Sequence, residues 1–289
     1  MEIVRAEKMG FCFGVKEAVE LSEALSKTEK NKRIFMLGML VHNEHVIEDL
    51  RKKGIKILEE EAVLKNKDDL EEGDIVIIRA HGTIKQIYDR LEEKNVEIHD
   101  AACSFVTEIR NTLVEMEKKG YDTIFIGDKE HPEVKGIISF GERVHIFKDL
   151  DELVDSGINR EGRYAVLTQT TLNKNSFERV KEYIHNNFPN AEIFNKICGA
   201  TFVRQKAAEK LADQVDLVLV IGGKNSSNTR KLYDISKGIN PNTYLIQEEK
   251  DICTDWLAGI RKVGITAGAS TPEEIIIKIE NKLRGIIDV

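Results

Sequence analysis

Three cysteines recur in one setting. Cys12 lies in KMGFCFGVKEAVELSEALS between Phe11 and Phe13, Cys103 in HDAACSFVTEIRNTLVEMEKKG and Cys198 in FNKICGATFVRQKAAEKLAD. Each follows a short strand-like run and immediately precedes a stretch with apolar residues at helical spacing. They stand 91 and 95 residues apart, about one small domain each, so a threefold repeat of one α/β unit would bring three thiolates to one centre. A lone cysteine is ordinarily a small buried hydrophobe, and Cys253 in EEKDICTDWL, off this spacing and in a charged segment, is read as a bystander to the other three. Structural zinc asks for four ligands, usually in close pairs such as CxxC, and the chain has no such pair. Cubane iron–sulfur clusters are normally held by four thiolates. Three would leave one iron open to bind and polarise a substrate, which is an active site rather than an electron wire.

Around these cysteines stand short polar segments, VHN (41–43), AHG (80–82), EHPEV (130–134), TQTT (168–171), KNSSN (224–228) and GAST (268–271). They are rich in hydrogen-bonding side chains, and several precede a helix whose unpaired N–H groups favour anions. Taken singly, Ser, Thr and Asn there are helix caps. Six such turns flanking three matched cysteines point to a small anionic ligand. Glu44 and His45 are expected on the solvated face of the helix after VHN, and Lys224 either touches the anion or faces water. Asn225-Ser226-Ser227 matches a glycosylation sequon but reads as a turn, because the chain starts without the basic segment and long apolar run of an export signal.

The elements that must position these residues alternate. Strand-like runs occur at 34–40, 74–80, 122–128, 164–170, 216–223 and 263–269, after an opening apolar strand. Segments such as NEHVIEDLRKKG, TIKQIYDRLEEKN, NSFERVKEYIHNNF and TPEEIIIKIENKLRG follow with helical periodicity. Strands apolar on both faces suit parallel sheets covered by helices, so the expected class is α/β built from βαβ units. The polar turns then fall at the carboxyl ends of strands, where open α/β sheets bind ligands.

Composition narrows the function. A chain of 289 residues exceeds one core. Its net charge of −7 argues against a broad nucleic-acid or anionic-membrane surface, and no apolar run approaches a bilayer span. Four scattered cysteines suggest thiols in a reducing cytosol, so a cytoplasmic protein is expected.

The ordered set GFCFGV, VHNEHV, AHG, AACSFVTEIR, HPEVKG, TQTTL, KICGAT, KNSSN and TAGAS resembles the 4-hydroxy-3-methylbut-2-enyl diphosphate reductase (LytB/IspH) family along the whole chain. The resemblance implies three similar small α/β domains with parallel sheets arranged pseudo-threefold around a central iron–sulfur cluster. The domains would be residues 14–102, 103–197 and 198–289, the last joined by the N-terminal strand 1–13. It implies reduction of an allylic alcohol diphosphate to isopentenyl and dimethylallyl diphosphate with loss of water, in the methylerythritol phosphate route to isoprenoids. On the family's motifs, Cys12, Cys103 and Cys198 would hold one 4Fe-4S cluster with an open fourth iron. Glu133 would deliver the proton, Thr170 would orient the substrate hydroxyl, and His131 would serve both catalysis and binding. His42, His81, His131, Thr170, Ser226, Ser227, Asn228 and Ser270 would bind the substrate, and a one-electron donor such as ferredoxin or flavodoxin would supply electrons. Phe13 beside the first cysteine, Ala102 and Ser104 around the second, and Gly199 after the third depart from the family pattern without removing a ligand. Two rival classes share the cofactor logic. Hydro-lyases of the aconitase kind remove hydroxide without net reduction, and an iron–sulfur sensor would want a basic DNA-binding helix that the sequence lacks.

Overall fold

Runs of Val, Ile and Leu build the inner strands of each sheet, and the polar turns between them set the helices. The computed structural model describes all residues except His42, Asn173, Asn225, Asp288 and Val289, together with all side chains except theirs and those of Lys174, Ser227 and Ile287. The chain begins with β1 (Glu2–Arg5) and α1 (Phe13–Thr28) and continues through β2 (Ile34–Leu37), α2 (Glu44–Lys52), β3 (Ile55–Leu58), α3 (Glu60–Leu64), β4 (Ile75–Ile78), α4 (Lys85–Glu93) and β5 (Glu97–Asp100). A second passage runs α5 (Ser104–Lys118), β6 (Asp122–Ile126), α6 (Pro132–Ile138), β7 (Val144–Phe147), α7 (Leu150–Asp155), β8 (Tyr164–Thr168), α8 (Lys174–Asn187) and β9 (Ala191–Ile193). The third comprises α9 (Gly199–Ala212), β10 (Leu217–Ile221), α10 (Ser227–Ile239), β11 (Thr243–Ile246), β12 (Lys262–Ala267) and α11 (Glu273–Ile287).

These strands form three four-stranded sheets in the orders β3-β2-β4-β5, β7-β6-β8-β9 and β11-β10-β12-β1, with every pairing parallel. The order is the same each time: the first strand of a passage lies inside, the second at one edge, the third inside and the fourth at the other edge. In the last sheet the fourth place is taken by β1, which pairs with β12 from Glu2↔Lys262 to Arg5↔Ile265. The expected α/β class with parallel sheets is what the chain adopts.

The central strands are apolar on both faces because both are covered. Leu217, Leu219 and Ile221 of β10 pack with Ile276, Ile279 and Leu283 of α11. The alternate residues Val218 and Val220 face Ala208 and Ala212 of α9 and Leu232 of α10, as the two-residue period of a strand dictates. Gly264 in β12 marks close packing of a helix on this sheet, since a Cβ there would lie 2.9 Å from Leu211 Cγ and 2.8 Å from Val215 Cγ2. By internal contacts the chain divides into two units, one of Met1–Val19, Val41–Lys52 and Gly199–Val289, the other of Glu20–Leu40 and Lys53–Cys198. The first contains the sheet completed by β1; the second contains the other two sheets.

Candidate functional site

Each of the three cysteines sits between the fourth strand of a sheet and the long helix that leads to another sheet. The sequences are β1–Cys12–α1, β5–Cys103–α5 and β9–Cys198–α9. Cys103 occupies the N-cap position of α5, yet its side chain makes no capping bond. All three are partly buried, while Cys253 is exposed, and none of the four forms a disulfide.

The cysteine backbones share one anchoring pattern. The amide of Cys12 donates to Ala269 O at 3.1 Å, that of Cys103 to Ala80 O at 2.9 Å and that of Cys198 to Thr170 O at 2.8 Å. Each acceptor lies two residues past the end of the third strand of its sheet, β12, β4 or β8. These carbonyls belong to the turns GAST, AHG and TQTT. Cys12 is therefore tied beside Ser270, Cys103 beside His81 and Cys198 to Thr170 itself.

The other three turns follow the first strand of each sheet and end in equivalent helix caps. Asn43 Oδ1 accepts from the amides of His45 at 3.1 Å and Val46 at 3.3 Å, at the start of α2. His131 Nδ1 accepts from Glu133 N at 3.2 Å at the start of α6, and Ser226 Oγ from Thr229 N at 3.3 Å at the start of α10. A ring nitrogen that accepts carries no proton, so capping places the hydrogen of the neutral His131 ring on Nε2, where it can donate. The His131 and His81 rings meet edge to face with centroids 6.3 Å apart. Ser226 and Ser270 are buried, as their places at helix starts and strand ends require. Glu44 and His45 are exposed, as expected for the outer face of α2, and Lys224 is exposed as well. His42 and the side chain of Ser227 lie outside the described residues.

Two features mark these turns as more than caps. Glu133, only 3% exposed, is gripped at both carboxylate oxygens by one residue: Thr170 N donates to Oε1 at 2.8 Å and Thr170 Oγ1 to Oε2 at 2.7 Å. A helix-start charge serving only the macrodipole would remain in water; this one is withdrawn from it and paired with a hydroxyl. The second feature is Asn228 in the first turn of α10, whose Oδ1 and Nδ2 are both buried without a hydrogen-bond partner among the described residues. Buried amides without partners are rare, and the Nδ2–H donor at a helix start suits an anionic ligand.

Two further residues of these turns hold them in place. Asn43, 4% exposed, also donates from Nδ2 to Ser270 O at 2.8 Å and so ties the VHN turn to the GAST turn. Gln169 accepts from Asp128 N at 3.2 Å through Oε1, steadying the segment that leads to His131. The cap position of Asn43 was readable; its contact with residue 270 had no sequence signal.

Three like parallel sheets, each with a cysteine at the exit of its fourth strand and polar turns at the ends of its central strands, define an α/β protein with a repeated cysteine setting. The profile of the family described as LytB protein matches residues 3–284, and the chain belongs to this family. It is 49% identical over 286 residues to a 4-hydroxy-3-methylbut-2-enyl diphosphate reductase of Fusobacterium nucleatum, covering 99% of this chain and 34% of that protein. The chain thus spans about a third of the length of that relative. It is 40% identical to the enzyme so named from Caldanaerobacter subterraneus, covering 99% of this chain and 98% of that one. Among solved structures, that of (E)-4-hydroxy-3-methyl-but-2-enyl diphosphate reductase, the terminal enzyme of the non-mevalonate pathway, superposes with a TM-score of 0.75 at 35% identity, covering 99% of this chain and 100% of the other. The E-1-hydroxy-2-methyl-but-2-enyl-4-diphosphate reductase from Plasmodium falciparum gives 0.82 at 30% identity, covering 97% and 87% respectively.

Proposed function

We propose that this chain reduces 4-hydroxy-3-methylbut-2-enyl diphosphate to isopentenyl and dimethylallyl diphosphate. The carbon–oxygen bond of the allylic alcohol breaks, a carbon–hydrogen bond forms, and two electrons and two protons are consumed as water leaves. The observation that carries this reading is the shared anchoring of the cysteines: each amide is bonded to a turn that bears a candidate substrate residue, Ser270, His81 or Thr170. The polar turns and the cysteines are thus parts of one arrangement in every sheet. The three like sheets support a division into units of residues 14–102, 103–197 and 198–289, the last completed by residues 1–13.

The donor set fits an iron–sulfur cluster. Cys12, Cys103 and Cys198 are partly buried thiols outside any disulfide, and thiolates are the ligands such clusters take. Each thiolate of a cubane binds its own iron, which asks less crowding than a single ion does; among the described residues no three His, Cys, Asp or Glu side chains are grouped about one ion. When bound by these three cysteines, a 4Fe-4S cluster supplies electrons one at a time and an open iron that acts as a Lewis acid toward the substrate hydroxyl.

The remaining roles belong to protein groups. His42, His81, His131, Ser226, Ser227, Asn228 and Ser270 bind the diphosphate, with the buried amide of Asn228 and the Nε2–H of His131 as donors. Thr170 orients the allylic hydroxyl and contributes to substrate binding; its own hydroxyl lies 2.7 Å from Glu133 Oε2. Protonated Glu133 would donate to the Thr170 hydroxyl, the reverse of the sense in which that hydroxyl donates to the carboxylate, and Thr170 would in turn pass its proton to the departing hydroxyl, which leaves far more readily as water. An external one-electron donor such as ferredoxin or flavodoxin supplies the electrons, and a reducing cytoplasm is the matching compartment; no helix among the described residues is long and apolar enough to cross a membrane.

Anaerobic reconstitution tests the reading. About four irons and four sulfides per chain are expected, with turnover of the allylic diphosphate only when a reductant is present. Loss of water from substrate without a reductant would place the chain with hydro-lyases instead.

A further inference from the structure

Arg204 is a charged side chain in the interior, 8% exposed, on α9 six residues past Cys198. Its guanidinium grips carbonyl oxygens. Nε donates to Gly10 O at 3.1 Å, Nη2 to Phe11 O at 2.9 Å and Nη1 to Ala200 O, one turn back on its own helix, at 2.9 Å. Gly10 and Phe11 are the two residues directly before Cys12. The other side of the same segment is held by amides, Ala6 N to Ile265 O at 2.8 Å, Gly10 N to Ala267 O at 3.1 Å and Cys12 N to Ala269 O at 3.1 Å. Gly10 adopts φ +70 with Thr271 O 3.3 Å from where a Cβ would sit, a left-handed conformation that glycine takes without strain. The Cys12 loop is therefore clasped between an extension of β12 and one guanidinium.

We propose that Arg204 is a positioning residue for Cys12, holding the loop so that its thiolate meets the cluster; this rests on the iron–sulfur reading above. Only a planar fork of donors satisfies two consecutive carbonyls and a third on the helix at once. Lysine would keep the charge and lose the fork, and glutamine would keep one amide donor and lose the charge. The guanidinium is also permanently charged, and a charge bonded to the carbonyl beside a ligand favours the cluster form that carries one more electron. Arg204 starts from the helix that follows Cys198 and ends on the loop that carries Cys12, so it links the settings of two ligands.

Arg204→Gln and Arg204→Lys separate this role from simple packing. In cluster-free protein, hydrogen exchange in a peptide spanning residues 9–13 should quicken at least tenfold in Arg204→Gln while peptides of β10 keep their protection. In reconstituted protein, a chelator should bleach the visible absorption about tenfold faster, and the reduction potential followed by electron paramagnetic resonance should move to more negative values. Arg204→Lys should keep most of the potential but little of the loop protection, and it serves as the test if the glutamine variant does not fold. Parent-like bleaching and potential in a variant with a loosened loop would reduce Arg204 to a packing residue. A parent protein that takes up no cluster would sink the iron–sulfur reading, and this role with it; a normal parent cluster beside an indifferent variant would sink the role of Arg204 alone.

Discussion

At the residue scale, the site is built from side chains whose local comfort is poor, and this sets function against stability. Asn228 holds two buried polar atoms without partners among the described residues, and such groups cost about 1–3 kcal/mol when left unsatisfied. Replacing it with alanine also improves helix propensity in α10. Asn228→Ala should therefore raise the thermal midpoint of cluster-free protein by a few degrees, while weakening diphosphate affinity about tenfold or more, the scale of a lost hydrogen bond to a charged ligand. A variant that bound the diphosphate product like the parent would remove Asn228 from the anion site. Glu133→Gln keeps the size of the side chain and its bond with the Thr170 hydroxyl but cannot pass a proton, so turnover should fall about 10²-fold with cluster absorption unchanged. Near-parent turnover would mean that the proton arrives by another path. Cys12→Ser, Cys103→Ser or Cys198→Ser should each abolish the visible absorption that Cys253→Ser preserves. These residues were legible because each lies in a short motif whose side-chain types announce their chemistry. The grip of Thr170 on Glu133 joins positions 37 apart, and that had no local signal.

At the scale of elements, what the sequence revealed followed burial. The six inner strands were readable because β2, β4, β8 and β10 are buried along their whole length and β6 and β12 nearly so. The second strand of each sheet, β3, β7 and β11, was not anticipated. Each has four residues at a sheet edge with no more than two buried, and IKIL, VHIF and TYLI are too short for alternation to stand out from a turn. The fourth strands β5 and β9 are no better buried and were found only because a cysteine follows each. The longer helices were legible from their periodicity, the short α3 and α7 were not, and neither was the way caps couple turns. Asn43 both caps α2 and holds Ser270 O. Asn43→Ser keeps a good cap and is too short to reach residue 270, so it loses one net hydrogen bond, about 0.5–1.5 kcal/mol. The expected result is a raised KM for the allylic diphosphate with kcat nearly kept and helicity unchanged. An unchanged KM would show that the GAST turn holds its place without the clasp.

At the scale of the whole molecule, the chain closes on itself. Two sheets receive their fourth strand from the end of their own passage, whereas the third receives it from the N-terminus, so every fourth strand leads through a cysteine into another sheet. That pairing of residues near positions 2 and 262 followed from the family resemblance and not from any local pattern, because β1 is a four-residue edge with both end residues exposed. Such a strand buries little apolar surface, and charge compensates. Arg5 on β1 donates from Nε and Nη2 to the two carboxylate oxygens of Glu280 on α11 at 2.5 and 2.7 Å, and from Nη1 to Glu273 at 2.5 Å. The bond from Arg5 holds the Glu280 carboxyl below its ordinary value of 4.5, against the opposing effect of partial burial. A depressed carboxylate contributes stability that is present above the unfolded value and lost as pH falls through the folded one. Glu280→Gln should accordingly lower the midpoint of cluster-free protein at pH 7 by a few degrees, about 0.5–1 kcal/mol for a pair that water still reaches. The deficit should vanish in acid, below the folded value, where the parent carboxyl is itself protonated. The loss should also be local: exchange at the amides of β1 and of the Cys12 loop should quicken more than in β10, since it is the strand that begins the chain, and not the buried core, that this pair holds. An equal deficit at neutral and acid pH would show that Glu280 acts through packing and that β1 is kept in place by its backbone bonds to β12 alone.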